Sequence, residues 1–353
     1  TTLKIAILND THAGCRNSSD IFMDYQERFY SEVFFPYLIE NDIKHILHLG
    51  DYYDNRKTIN FKALQHNRKI FLEPMRKHGI TMDIIPGNHD VYYKNTNELN
   101  ALKELQGHYM NEVNLVMKPT VVDYDGMAIA LVPWINTQNE KESLEFLANC
   151  KADIVGAHLE LQGFEMSKGM PCMEGMDRKH FDRFDMVMTG HFHAKSTQNN
   201  IHYLGSQMEF FWNDCNDPKH FHILDTETRE LTPVVNPITI YEKIYYDHEN
   251  MRKFKDLKYL DNKFVKVIVT NKGDPYEFER FIDRVQSQKI HELKIAEDFK
   301  EFTGENVSDN VSVDDTETLV YDYVDSVNTD LDKGRIKKEI SYLMKEAQSM
   351  EIV

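Results

Sequence analysis

Short apolar runs that stop at a polar residue recur along the first part of the chain. Leu3-Lys4-Ile5-Ala6-Ile7-Leu8 ends in Asn9-Asp10. Ile46-Leu47-His48-Leu49 ends in Gly50-Asp51, and Ile84-Ile85-Pro86 ends in Gly87-Asn88-His89-Asp90. Runs of this length bounded by turn residues predict buried strands. Each would deliver its acid or amide to a C-terminal strand edge, where open α/β sheets bind ligands. Between them, Ser18-Ser19-Asp20 offers a helix cap, and Phe22, Tyr25, Phe29 and Val33 follow at helical spacing until Pro36 disturbs the pattern. Phe61, Leu64, Ile70 and Phe71 predict a second helix, interrupted near Pro74. Strand, helix, strand, helix, strand is an α/β pattern.

The pattern continues. A short helix is expected near Asn97–Leu105. Asp125-Gly126 between apolar runs predicts a hairpin, and Asn199-Asn200 a second one. Two further strands run into Gly156-Ala157-His158 and Gly190-His191-Phe192-His193, and Phe221–Asp225 reads as a closing strand. The expectation is one domain over 1–235 with two sheets and flanking helices. Pro233 and Pro237 bracket its end. A small α/β unit follows over 236–303, with a strand at Phe264–Thr270, a helix at Pro275–Gln286 and a strand at Glu292–Ala296. Residues 304–329 are acidic and Ser/Asn-rich, and read as a linker. From 330 onward, Ile336, Ile340, Leu343 and Ala347 form one apolar stripe on a terminal helix, which needs its own core or a partner to pack against.

Bulk composition narrows the class. With 353 residues, 41% hydrophobic and 28% charged, the chain reads as a soluble protein of two or three domains. No apolar run approaches the ~20 residues of a membrane span, and Thr1-Thr2-Leu3-Lys4-Ile5 reads as a strand opening and not a signal peptide. Cys15, Cys150, Cys172 and Cys215 are scattered, which favours a reducing cytoplasm over a disulfide framework or a zinc knuckle. The net charge of −17 argues against a free-standing nucleic-acid binder unless the acid lies away from the site or a partner supplies the DNA contact.

Five segments carry matching chemistry: Asp10-Thr11-His12, Gly50-Asp51-Tyr52-Tyr53-Asp54, Gly87-Asn88-His89-Asp90, Gly156-Ala157-His158 and Gly190-His191-Phe192-His193. Taken singly, each is an ordinary turn or a satisfied polar group. Together they supply what a two-metal phosphoesterase needs. Two divalent ions ~3.5–4 Å apart activate a water and hold developing charge. Such a pair needs a bridging carboxylate, neutral nitrogens and some oxygens. The candidate ligands are Asp10, His12, Asp51, Asn88, His158, His191 and His193. Mixed His, Asp and Asn ligation suits manganese or iron, with magnesium and zinc as alternatives. The glycines at 50, 87, 156 and 190 let the backbone turn beside the metals. His89 follows a ligand and would protonate the leaving oxygen, with Asp54 holding its other ring nitrogen; the bland reading of Asp54 is a turn cap. The remaining histidines, His48 among them, lack this context and read as packing or surface residues. Arg16, Arg56, Lys57 and Lys94 lie in loops near the motifs and are candidates to meet phosphates.

The five motifs, in this order, resemble the calcineurin-like metallophosphoesterase superfamily. Asp10-Thr11-His12-Ala13-Gly14, Val132-Pro133-Trp134 and Gly205-Ser206 are similar to its SbcD-type branch of double-strand-break repair nucleases, nearest to the phage members. The detailed resemblance covers about residues 3–225, and the rest is likeness of layout. It implies a two-sheet sandwich flanked by helices, a small α/β capping domain that contacts DNA, and a C-terminal helical tail. Asp10, His12, Asp51 and His193 would bind one ion and Asp51, Asn88, His158 and His191 the other, with Asp51 bridging. Many cellular members carry His at the position of Asp54, whereas the superfamily's phosphatases carry Asp there, so Asp54 leans toward a His89–Asp54 pair. The phosphatases continue Asp-Arg-Gly; here Asp54-Asn55-Arg56 lacks that adjacent arginine.

The resemblance implies a manganese-dependent nuclease, 3′→5′ exonuclease and single-strand endonuclease, processing DNA ends as a homodimer with an SMC-like ATPase, in the cytoplasm of a bacterial host if phage-encoded. The terminal helix would dock on that partner. The alternative is a phosphatase or cyclic phosphodiesterase acting on a small substrate, which leaves the tail unexplained. A metal-dead scaffold would have lost ligands, and all seven are present.

Overall fold

The first strand, β1 (Lys4–Leu8), is apolar on both faces and its last four residues are buried. Such a strand belongs at the centre of a sheet. In the computed structural model, which describes residues 3–167, 170–297, 320–321, 323–324 and 331–349, β1 sits between β13 (Lys219–Asp225) and β2 (His45–His48). Beyond them lie β14 (Leu231–Asn236) on one side and β3 (Thr81–Ile84) and β4 (Val113–Leu115) on the other. β1 to β4 are parallel, so their C-terminal ends open on one edge.

A second sheet is built the same way. β6 (Met127–Val132), β7 (Ile154–His158), β10 (Met186–Gly190) and β12 (Ile201–Tyr203) run parallel. Antiparallel β5 (Thr120–Tyr124) and β11 (Ser196–Gln198) close its edges. Both hairpins expected from the sequence form here; Asp125 and Asn199 adopt φ 55° and 52° in their turns. Ile5, Ile7, Leu47, Ile129, Leu131, Ile154, Met188 and Leu224 pack the two sheets together, each at most 1% exposed. β8 (Glu165–Ser167) and β9 (Met170–Pro171) form a small separate ribbon.

The helices depart from expectation at their prolines. α1 (Asp20–Arg28) does not stop before Pro36. It passes through a π-helical turn, Phe29–Phe34, into α2 (Phe35–Glu40). α3 (Phe61–Asn67) likewise passes through Arg68–Leu72 into α4 (Glu73–Lys77), which contains Pro74. Proline cannot donate to the carbonyl four residues back, and a wider turn upstream shifts the hydrogen-bond ladder around that gap. α5 (Ala101–Leu105) and α6 (Glu140–Asn149) complete this unit, which runs to Phe210 and resumes over Asp217–Ile238.

The second unit takes Phe211–Asn216 and the chain from Thr239. Its sheet is three parallel strands, β15 (Tyr241–Asp247), β16 (Phe264–Asn271) and β17 (Glu292–Glu297), with β16 central. α7 (Pro275–Gln286) buries Phe278, Phe281, Ile282 and Val285 on it. Strand β15 carries Glu, Lys and Asp among its apolar residues, which hid it from a reading based on apolar runs. α8 (Lys333–Ser349) is the terminal helix. Apart from residues 320–321 and 323–324, the expected acidic linker lies outside the described residues. No helix among the described residues is long and apolar enough to cross a membrane.

Candidate metal centre

The parallel strands deliver the polar residues to one place. Asp10 follows β1, Asp51 follows β2, and Asn88 and His89 follow β3. His158 ends β7, and His191 and His193 follow β10. The backbone is held in unusual conformations to achieve this. Asp10, His12, Asp51 and His191 have φ of 52°, 46°, 57° and 97°, a left-handed region costly for residues with a Cβ and concentrated at functional sites. Two glycines are required by close approach. A Cβ on Gly87 would lie 2.2 Å from Oδ1 of Asp51, and one on Gly50 would lie 2.7 Å from the Gly87 amide nitrogen.

Two donor sets result. In the first, Nε2 of His12 and Nε2 of His193 face each other at 3.1 Å, and each lies 3.8 Å from Oδ1 of Asp10. In the second, Oδ1 of Asn88 lies 3.0 Å from Nε2 of His158 and 2.9 Å from Nδ1 of His191. Oδ2 of Asp51 is 3.3 Å from the same His158 nitrogen. Asp10, His12, His193 and Asp51, His158, His191 are each close enough to hold one ion. The donor chemistry fits divalent cations: imidazole nitrogens and carboxylate oxygens converge, with Asp10, His12, Asp51 and His158 buried and His191 and His193 partly exposed.

Electrostatics agree with that fit. Burial, with the repulsion of Asp51 added, pushes the Asp10 carboxyl above its ordinary range. Burial opposes ionisation of Asp51 too, but the charge of His158, with His89 and His12 behind it, holds its carboxyl well below the usual range. His12 rises to about 9: burial resists its charging, and the Asp54 carboxylate, with the charges of Asp51 and Asp10, overcomes that resistance. His158 rises to about 9 against burial through Asp51. Burial and the charge of His12 hold His193 well below its ordinary value. Without metal, then, protons on His12 and His158 balance the buried carboxylates. A divalent ion in each donor set would displace those protons.

The far ring nitrogens are fixed as well. Nδ1 of His158 lies 2.7 Å from the Leu49 carbonyl, and Nε2 of His191 lies 2.9 Å from a Glu160 carboxylate oxygen. Nδ1 of His12 is 3.2 Å from Oδ1 of Asp54. This corrects the expected geometry of Asp54. Its carboxylate lies on His12, and it reaches His89 through its backbone carbonyl, 2.6 Å from Nδ1. His89 packs edge-on against the His12 ring, with centroids 5.0 Å apart, and one ligand atom each of His12, Asp54 and His89 lie within 4.8 Å of one another.

Three residues that the sequence reading gave no role support the site. The Asp90 carboxylate accepts hydrogen bonds from the backbone amides of Asp51, Tyr52, Tyr53 and Gly87, so it ties two metal loops together and does not face the ions. Asn9 donates to Asp10 at 2.6 Å. Glu160 stands two residues after His158. Asp90 lies inside a recognised motif and Asn9 and Glu160 lie beside one, and that placement was the available signal. His48 is fully buried, with Nε2 2.8 Å from the Thr11 hydroxyl, a packing role. Among the candidate phosphate contacts, Arg16, Lys57 and Lys94 are exposed and Arg56 is half-buried. Burial lowers the Arg56 pKa, opposed by the charge of Asp51. Lys57 lies 5.8 Å from the Tyr92 ring, which brings the loops after Asp54 and Asp90 together.

The sequence profile of the calcineurin-like phosphoesterases matches residues 3–195. Exonuclease subunit 1 of Enterobacteria phage T4 is 31% identical over 348 residues, 98% of this chain and 99% of that protein. The SbcD component of the SbcCD nuclease of Staphylococcus saprophyticus is 26% identical over 203 residues, 48% of this chain and 54% of that protein. A solved archaeal phosphodiesterase superposes with a TM-score of 0.35 at 14% identity, over 66% of this chain and 100% of that one.

Proposed function

The chain is a hydrolytic enzyme of the calcineurin-like phosphoesterase family, and we propose that it is a manganese-dependent DNA nuclease that trims DNA ends in recombination and double-strand-break repair. Its actions would be 3′→5′ exonuclease and single-strand endonuclease, and its partner an SMC-like ATPase. One observation carries this reading: two donor sets, Asp10, His12 and His193 and Asp51, His158 and His191, with the His89 ring against His12 and its backbone amide on Asp51. The near full-length similarity to a phage exonuclease subunit supports DNA as the substrate.

Bound in those sets, two divalent ions would supply charge stabilisation and an activated water. The rest falls to the chain. Asp10, His12, Asp51 and His193 would hold one ion, and Asp51, Asn88, His158 and His191 the other. His89 donates Nδ1–H to the Asp54 carbonyl, which leaves Nε2 as the atom that can pass a proton to the leaving 3′ oxygen. Arg56, Arg16, Lys57 and Lys94 would grip phosphates along the strand. α8 would dock on the ATPase, consistent with Leu343 being 60% exposed on it. A partner also answers the net charge of −17, because it can bring the basic surface that this chain lacks overall. A homodimer accompanies this reading.

The test is degradation of end-labelled linear DNA with manganese, beside bis-p-nitrophenyl phosphate and with Asp51→Asn as control. Loss of DNA cleavage in the control supports the nuclease. Turnover of the small ester alone would move the function to a small-substrate phosphodiesterase. Deletion from residue 330 should leave basal cleavage and abolish co-purification with the ATPase; retained co-purification would sink the docking role of α8.

A further inference from the structure

We propose that Glu160 is the positioning residue for His191, holding the ring so that Nδ1, not Nε2, faces the second donor set. This rests on the two-metal reading above. His12 and His158 present Nε2 to the site; behind them Nδ1 of His12 lies 3.2 Å from an Asp54 carboxylate oxygen and Nδ1 of His158 lies 2.7 Å from the Leu49 carbonyl. His191 is turned the other way: Nδ1 lies 2.9 Å from Oδ1 of Asn88, and Nε2–H donates to Oε2 of Glu160 at 2.9 Å. An imidazole that offers one nitrogen to a metal must carry its proton on the other. A carboxylate there fixes both the tautomer and the ring plane and raises the basicity of the ligating nitrogen.

The surrounding structure shows that this carboxylate is placed and not incidental. Glu160 is the second residue past His158, in the loop that leaves β7. The residues on either side of it are clamped by one buried phenol. The Tyr203 hydroxyl donates to the Leu159 carbonyl at 2.7 Å and accepts from the Leu161 amide at 3.0 Å. The Leu159 amide donates to the Thr189 hydroxyl at 2.9 Å, one residue before the Gly190-His191 turn. The Glu160 carbonyl accepts from the Met176 amide at 2.8 Å. A solvated surface glutamate needs none of these constraints. Here the loop that follows His158 supplies the support for His191. The two strands involved, β7 and β10, are paired neighbours, with His158 opposite Gly190. Trp134 closes the other side, its ring 5.2 Å from that of His191, so the imidazole has little room to flip.

The experiment is calorimetric titration of manganese into the full-length protein, wild type against Glu160→Ala and Glu160→Gln, with electron paramagnetic resonance of the coupled ion pair as a second readout. Glu160→Ala should weaken one of the two ions by about 10–100-fold and leave the other near its wild-type affinity. The spin-coupled signal should disappear at manganese concentrations that saturate the wild type. Glu160→Gln keeps an oxygen acceptor in place and should recover much of the affinity. Unchanged affinity for both ions in Glu160→Ala, or equal weakening of both, overturns the proposal. Failure of the underlying reading is distinguishable, because the wild type would then take up fewer than two ions.

Discussion

The backbone amide of His89 donates to Oδ1 of Asp51 at 2.8 Å, so the residue we propose as the proton donor is tied to the carboxylate we propose as the bridge between the ions. The tie runs through the main chain. Replacing the imidazole therefore leaves Asp51 held. His89→Ser should bind two manganese ions as the wild type does and lose DNA cleavage by about 10²–10⁴-fold. Metal titration beside a cleavage assay checks this; loss of an ion in His89→Ser would reassign the residue as a ligand.

The carboxylate of Asp54 lies on His12, and its backbone carbonyl lies 2.6 Å from Nδ1 of His89. Asp54→Ala should therefore act on metal affinity. We expect weakening of the ion held by Asp10, His12 and His193 by about 10–100-fold, with cleavage largely restored at high manganese. A fall in kcat that saturating metal does not repair would show that the side chain serves His89 after all.

Metal removal should destabilise the protein. Asp10 and Asp51 are buried together and repel each other. An ion present at a hundred times its Kd adds about 2.7 kcal/mol, or roughly 5–10 °C in Tm for a domain of this size. Thermal melts with chelator and with manganese should differ by that much. In Asp51→Asn the difference should shrink toward zero.

Loss of Asp90 should be felt in stability more than in chemistry. Its carboxylate satisfies four backbone amides in two metal loops, and it is fully buried. Each orphaned buried donor costs ~1–3 kcal/mol. Asp90→Ala should lower unfolding free energy by at least about 3 kcal/mol in denaturant titration; a change under about 1 kcal/mol would mean that water replaces the carboxylate.

Stability should also fall in mild acid through His222, on β13 and away from the metals. Burial, with the charges of Lys195, His220 and His202, drops its pKa from 6.5 to about 3. Above pH 6.5 neither folded nor unfolded chain protonates it, so it costs nothing. Below pH 6.5 the unfolded chain takes a proton that the fold refuses, and stability declines until pH approaches 3. Between pH 6.5 and 5 the loss is on the order of 1–2 kcal/mol. His222→Leu should show a shallower decline over that range than the wild type; parallel declines would show that His222 is not buried neutral.

Much of this protein can be read directly from its amino acids. Apolar runs ending in Asp10, Asp51 and Asn88 locate the strand ends, because a buried strand must stop where polar groups can be satisfied. Gly87 and Gly50 mark where backbone meets carboxylate, because any Cβ there would collide. The family follows from five motifs in order. Tertiary structure decided what depends on direction. Asp54 and Asp90 look alike beside their motifs, yet one carboxylate turns to His12 and the other to four backbone amides. Glu160 is an ordinary acid in the sequence and becomes a partner of His191 when β7 and β10 pair. Periodicity shows which face a residue takes, but the orientation of a hydrogen bond is set by groups far apart in the chain that meet only when both sheets have formed.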